Sequence, residues 1–174
     1  MADEVLLILK VSDSDGQGVA IKRVNGRLNV TSTGESCSAA NSDAADKAFI
    51  YAKSSSRRLV VLEILSSDLF HWGACDNILS GAAKVRFIGH VREQLLEKSG
   101  ITTKMLHEKS MQYGVPVEIK TVETDDPAYA ALEEAHGDYN RIFIAKEKNK
   151  MFPIFKKSMG QLLQKKISIP IIAG

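Results

Sequence analysis

Hydrophobic positions along this chain change their period several times. Val5–Val11 is a run of Val, Leu and Ile, followed by the polar patch Ser12-Asp13-Ser14-Asp15-Gly16-Gln17-Gly18. A second run, Val19–Val24, ends at Asn25-Gly26, and a third begins at Leu28. Asn-Gly between two strand-like runs is a strong hairpin signal. From residue 40 the spacing turns helical: Asn41 or Ser42 can cap a helix with Ala45, Ala48, Phe49 and Ala52 on one side, and Ser54-Ser55-Ser56 breaks it. Leu59–Leu65 reads as a strand buried on both faces, the mark of a parallel sheet. After an irregular connection over 66–82, Val85, Ile88, Val91, Leu95, Thr102, Leu106 and Tyr113 form a helical stripe, with a kink expected near Gly100 and an end at Gly114.

Val115–Val122 follows as an alternating, edge-ward strand. The next helix has Asp126 at its N-cap, Pro127 in its first turn, Ala128, Ala131, Leu132 and Ala135 on its buried stripe, and Gly137 just past its end. Arg141–Ala145 is a buried strand. A last helix, about 154–166, places Phe155, Met159, Leu162 and Leu163 on one face and Lys165-Lys166 at its negative pole. Ile167–Ile172 closes as a strand. Pro170 cannot donate to a ladder, which assigns that strand to a sheet edge.

Strands alternating with helices from about residue 27 predict a doubly wound α/β fold: a parallel sheet, right-handed crossovers and helices on both faces. Ligands of such sheets sit outside the carboxyl ends of the strands, where the strand order reverses. One conflict stays open. Leu28–Thr33 cannot pair with Val19–Val24 and also be the central strand along its full length, because both edges would be taken. Either Asn25-Gly26 merely reverses the chain, or Val5–Lys10 is the true first strand.

Composition narrows the class. A chain of 174 residues, 44% hydrophobic and 25% charged, is ordinary for one globular domain, which excludes disordered and fibrous classes. With 23 Lys and Arg against 21 Asp and Glu, the formal charge of +2 gives no reason to expect nucleic acid as a partner. The acidic start Met1-Ala2-Asp3-Glu4 and the absence of a long apolar run predict no signal peptide and no membrane span, hence a cytoplasmic protein. Two cysteines, Cys37 and Cys75, form no disulfide framework.

Three segments together resemble the universal stress protein family. They are Asp46-Lys47-Ala48-Phe49 running into Leu59–Leu62, Val115-Pro116-Val117 running into Asp125-Asp126-Pro127, and Ile142-Phe143-Ile144-Ala145 with the terminal Ile169-Pro170-Ile171-Ile172. The resemblance covers roughly residues 27–174 and leaves 1–26 as an N-terminal β-hairpin extension. It implies a five-stranded parallel sheet in the order 3-2-1-4-5, a homodimer formed through the last strand (Ile169, Pro170, Ile171 and Ile172), and a regulatory or stress-response role.

Family members that bind ATP carry Gly-x-x-Gly, nine further residues, then Gly-Ser or Gly-Thr after the fourth strand. Glycines let the backbone approach phosphates, and helix-start N–H groups cradle their charge. This chain has Ala145, Lys148, Ser158 and Met159 at those positions. A one-residue shift puts Ser158 in the hydroxyl position but leaves Ile144 and Glu147 in place of the glycines. After the expected first strand, Ser32 and Thr33 offer hydroxyls where the family has an Asp. ATP is therefore not expected as a cofactor in the family's usual manner, and no other cofactor is implied.

Residues 141–166 hold eight basic side chains, among them Lys146, Lys148 and Lys157, against Glu147 alone, a local charge of +7. Either this is a solvated lysine face, or it holds a phosphate-bearing ligand or an acidic protein partner through point charges. Glu63 interrupts an apolar strand: it reaches solvent or a lysine at the strand exit, or it is buried and must be paired or protonated. His71 and Cys75 are too few for a zinc site, and His90, His107 and His136 are scattered. No metal, no catalytic residue and no Gly-x-Ser-x-Gly elbow is identified, so a non-enzymatic binding protein is expected. The rival readings are a nucleotide-hydrolysing protein on the same fold and a regulatory partner of a membrane transporter.

Overall fold

Nine consecutive residues with apolar side chains at both parities can satisfy their backbone only inside a sheet covered on both faces. The first such run is at the start of the chain. In the computed structural model, which describes residues 3–12, 19–24, 27–32, 39–66, 81–145 and 159–173, strand β1 is Glu4–Ser12 and Val5 to Leu9 are fully buried. The hairpin strands β2 (Val19–Val24) and β3 (Arg27–Ser32) pair antiparallel in a sheet of their own. Helix α1 (Ala39–Ser54), strand β4 (Arg58–Ser66), helix α2 (Gly81–Tyr113), strand β5 (Val117–Glu123), helix α3 (Pro127–Ala135), strand β6 (Tyr139–Ile144), helix α4 (Met159–Lys166) and strand β7 (Ile171–Ala173) follow.

The main sheet runs β5-β4-β1-β6-β7, all pairs parallel. Numbered among its own strands this is the order 3-2-1-4-5. The central strand is Glu4–Ser12, which corrects the division at residue 26: the first strand is the heart of the sheet, and the hairpin is inserted between β1 and α1. Leu28–Thr33 could not take that place, because β3 spends an edge on β2.

Parity decides which side each residue serves. Val5, Leu7 and Leu9 pack with Leu59 and Val61 under α1 (Ala44, Ala45, Ala48, Phe49, Ala52) and Leu106 of α2. Leu6 and Ile8 pack with Val60, Leu62 and Ile64 under α3 (Ala131, Ala135) and α4 (Met159, Leu163). Asn41 is no cap. It lies inside α1, buried, and its Nδ2 donates to the Lys10 carbonyl at 3.1 Å, tying the start of α1 to the end of β1.

Helix α2 runs without a break through Gly100. Its stripe is buried at Val91, Leu95, Ser99, Thr102 and Leu106, whereas Val85 is 72% exposed and Ile88 38%. Among the described residues, the last apolar residues of β1 and β4, Val11 and Leu65, cluster with Val91 and Leu95. The helix ends at Gly114 in the left-handed region (φ 68°), and the Ser110 hydroxyl closes the turn by donating to the Val115 carbonyl at 2.7 Å.

Helix α3 starts as its sequence predicts: the Asp126 side chain accepts from the Tyr129 N–H, with Pro127 in the first turn. Gly137 serves space rather than φ. A Cβ there would lie 2.6 Å from the Tyr139 ring, which is buried and donates its hydroxyl to Glu134. Lys120 also reaches Glu134, at 2.7 Å. Burial opposes ionisation of Glu134, yet these donors and the lysine charge hold its carboxyl below the usual range. The two glycines should therefore respond in opposite senses. Gly100→Ala, in an exposed helical position with open space around its Cβ, should stabilise by about 0.5–1 kcal/mol. Gly137→Ala should destabilise by about 1–3 kcal/mol through the forced ring shift. Urea denaturation of the two variants checks both signs.

Candidate functional site

Strand order reverses between β1 and β6: the chain moves outward through β4 and β5 on one side and through β6 and β7 on the other. At such a point the loops leaving two adjacent strands part in opposite directions and open a crevice at the carboxyl ends. Its floor here is Ile8 to Ser12 of β1, Ile144 of β6 and Ala145 just after it, joined by the Ala145 N–H to the Ile8 carbonyl at 3.3 Å. The Asn41 bond to Lys10 brings the first turn of α1 to the same end of β1.

The sequence candidates fall into three groups. Ser32 ends β3, in the small separate sheet, opposite Val19. Thr33, Lys146, Lys148, Lys157 and Ser158 lie outside the described residues, as do Cys37, His71, Trp72 and Cys75. Ile171 and Ile172 form β7 with Ala173; it pairs with β6, and among the described strands nothing occupies its other edge. Ile169, Ile171 and Ile172 are half-buried against the two core clusters, and the Pro170 carbonyl accepts from the Ile142 N–H at 3.0 Å. The edge position inferred from Pro170 is the one observed.

Glu63 is the most unusual of the candidates. It is fully buried, which corrects the reading of an exit residue reaching solvent or a lysine. In register it stands between Leu9 of β1 and Thr121 of β5, on the sheet face beneath α2. Its Oε2 accepts from the Ser99 hydroxyl at 2.6 Å and from the Thr121 hydroxyl at 3.2 Å, and its Oε1 has no hydrogen-bond partner among the described residues. Burial pushes the carboxyl above its ordinary pKa, only partly offset by the two hydroxyl donors. Ser99 and Thr121 were missed in the sequence. A hydroxyl at position 99, four residues beyond Leu95 on the buried stripe of α2, was the available signal, but nothing in the chain links it to a residue 36 positions earlier.

Glu63 does not open into the β1–β6 crevice; it lies across β1 from it, on the β4–β5 side. The crevice and the buried carboxyl are therefore separate features. No helix among the described residues is long and apolar enough to cross a membrane.

No protein-family model matches the chain, and no curated protein matches it. Solved structures do. A universal stress protein UspA from Lactobacillus plantarum superposes with a TM-score of 0.55 over 97% of this chain and 96% of that one, at 12% identity. A protein from the universal stress protein family from Burkholderia pseudomallei superposes with a TM-score of 0.55 over 99% and 95%, at 15% identity. With the strand order 3-2-1-4-5 and helices on both faces, these full-length superpositions establish that the chain has the universal stress protein fold.

Proposed function

We propose that this protein is a non-enzymatic, cytoplasmic binding protein of the universal stress type, acting in a stress response or its regulation. It takes a phosphate-bearing ligand at the β1–β6 crevice without the glycine loop used for ATP. The observation that carries this reading is the reversal of strand order at β1 and β6, directly followed in the chain by the lysine-rich segment 146–157. Lysines there hold an anion as point charges, so affinity depends on ionic strength in a way that a backbone nest of N–H groups does not.

Calorimetric titration with inorganic phosphate, AMP and ATP at low and physiological salt tests it. The expected result is heat of binding that weakens markedly on adding salt; no heat in either buffer would overturn the reading.

The same proposal places a homodimer at β7. A free edge bearing Ile171 and Ile172 is a template for strand pairing, and a two-fold partner covers it with the same surface. Light scattering after size exclusion should give a dimer for the wild type and a monomer for Ile171→Asp. A monomeric wild type would remove this interface.

A further inference from the structure

On the α1–α2 side the core is not continuous. Leu59 and Val61 of β4 and Leu106 of α2 belong to the large cluster, whereas Leu65, Val11, Val91 and Leu95 form a separate apolar patch nearer the carboxyl ends of the strands. Between the two lies a polar layer of buried Glu63 on β4 and Ser99 and Thr102 on α2, which meets the surface at the exposed Thr121 of β5. Thr102 turns its hydroxyl back to the Lys98 carbonyl at 3.1 Å. Outward of this layer, helix and sheet are joined by that four-residue patch and by the surface pair Arg92–Glu123 at 2.9 Å.

The two charge states of this carboxyl are not equally matched by its neighbours while the helix is seated. Ionised, it carries a charge with one oxygen bare in an apolar setting, the costlier arrangement. Protonated, it is neutral, and its O–H can donate to the Ser99 hydroxyl oxygen. Among the described residues no cation compensates. Arg92 is engaged with Glu123 two residues beyond Thr121, and Asp46 of α1 is paired with Lys109 of α2. On β1 the residue in register is Leu9. Lys98 is half-buried beside Ser99, and among the described groups only Ser99 and Thr121 act on Glu63 besides burial itself.

We infer that Glu63 is a proton-operated latch: with a proton from solvent on its carboxyl the outer half of α2 is seated on the sheet, and loss of that proton to solvent lets the helix lift and water enter. The outer half of α2 borders the carboxyl ends of β1 and β4, so the latch sets how open that end of the fold is. It is independent of what the crevice binds.

Hydrogen exchange of α2 amides from residue 88 to 99, corrected for the intrinsic pH dependence of exchange, tests the latch on the intact chain. Wild-type protection should fall as pH rises through the Glu63 transition, roughly tenfold for each unit by which folding raises its pKa. Glu63→Gln, which keeps an oxygen for Ser99 and Thr121, should show no such fall. Equal pH profiles for the two proteins would overturn the inference. Carbon-detected NMR titration of the wild-type glutamate carboxyls needs no variant. A buried glutamate titrating above the ordinary range supports the latch, and one titrating at or below it refutes it.

Discussion

Phe49→Ala should lower the free energy of unfolding by about 3–5 kcal/mol, the usual cost of emptying a fully buried aromatic site. That is a large share of the roughly 5–15 kcal/mol that holds a domain folded. Phe49 is wholly inaccessible in the cluster that joins α1 to β1, β4 and β6, and its ring stacks on Tyr113 of α2 with centroids 5.7 Å apart. Tyr113 in turn donates to Asp46 at 3.2 Å, and Lys109 pairs with the same carboxylate, so one turn of α1 anchors the end of α2. Removing the ring leaves a void that small neighbours such as Ala45, Ala48 and Ala52 cannot fill. Urea denaturation of the variant measures the loss. A change below about 1 kcal/mol would mean that α1 is not seated on the sheet as described.

Glu63→Gln and Glu63→Ala should move stability in opposite directions at neutral pH. The glutamine retains an acceptor for Ser99 and Thr121 and removes the buried charge, leaving a neutral amide in place of Oε1, so it should exceed the wild type by about 1 kcal/mol, the excess cost of a bare charge over a bare neutral group. Alanine orphans both hydroxyls and opens a cavity, and it should fall about 2–4 kcal/mol below the wild type. The pH dependence has a definite sign. Burial raises the folded-state pKa of Glu63, so its contribution is favourable below the unfolded value and is lost as pH rises through the folded one. The advantage of glutamine should therefore shrink as pH falls towards the ordinary carboxyl range and vanish below it. Denaturant melts at acid and neutral pH read this directly, and an advantage that does not change with pH would show that the charge is not what it removes.

Local chemistry was legible wherever it needed no distant partner. Asp126 and Pro127 start α3, Gly114 ends α2, Ser54 to Ser56 end α1, and Pro170 marks an edge, because caps, left-handed turns and missing donors act within a few residues. Gly137 was located correctly but for another reason: the Tyr139 ring presses on it, a contact made only after α3 and β6 have packed. Gly100 predicted a kink or break near 99–102; there is no break, since the buried residues on either side of it, Leu95, Ser99, Thr102 and Leu106, keep α2 packed as one helix.

The amino-acid sequence by itself determined the alternation of strands and helices, the doubly wound class, the strand order through its resemblance, and the loss of the glycine phosphate loop. The first two depend on periodicity along the chain and the last on spacing; the strand order is what the resemblance implied. Only the tertiary structure decided that Glu4–Ser12, and not the strand after the hairpin, is the centre of the sheet, because both runs have the same apolar character and differ only in which edges are already paired. It alone decided that Glu63 faces α2 and finds Ser99 and Thr121, since a buried carboxyl is defined by groups that meet it across a helix and a neighbouring strand, which no local pattern records.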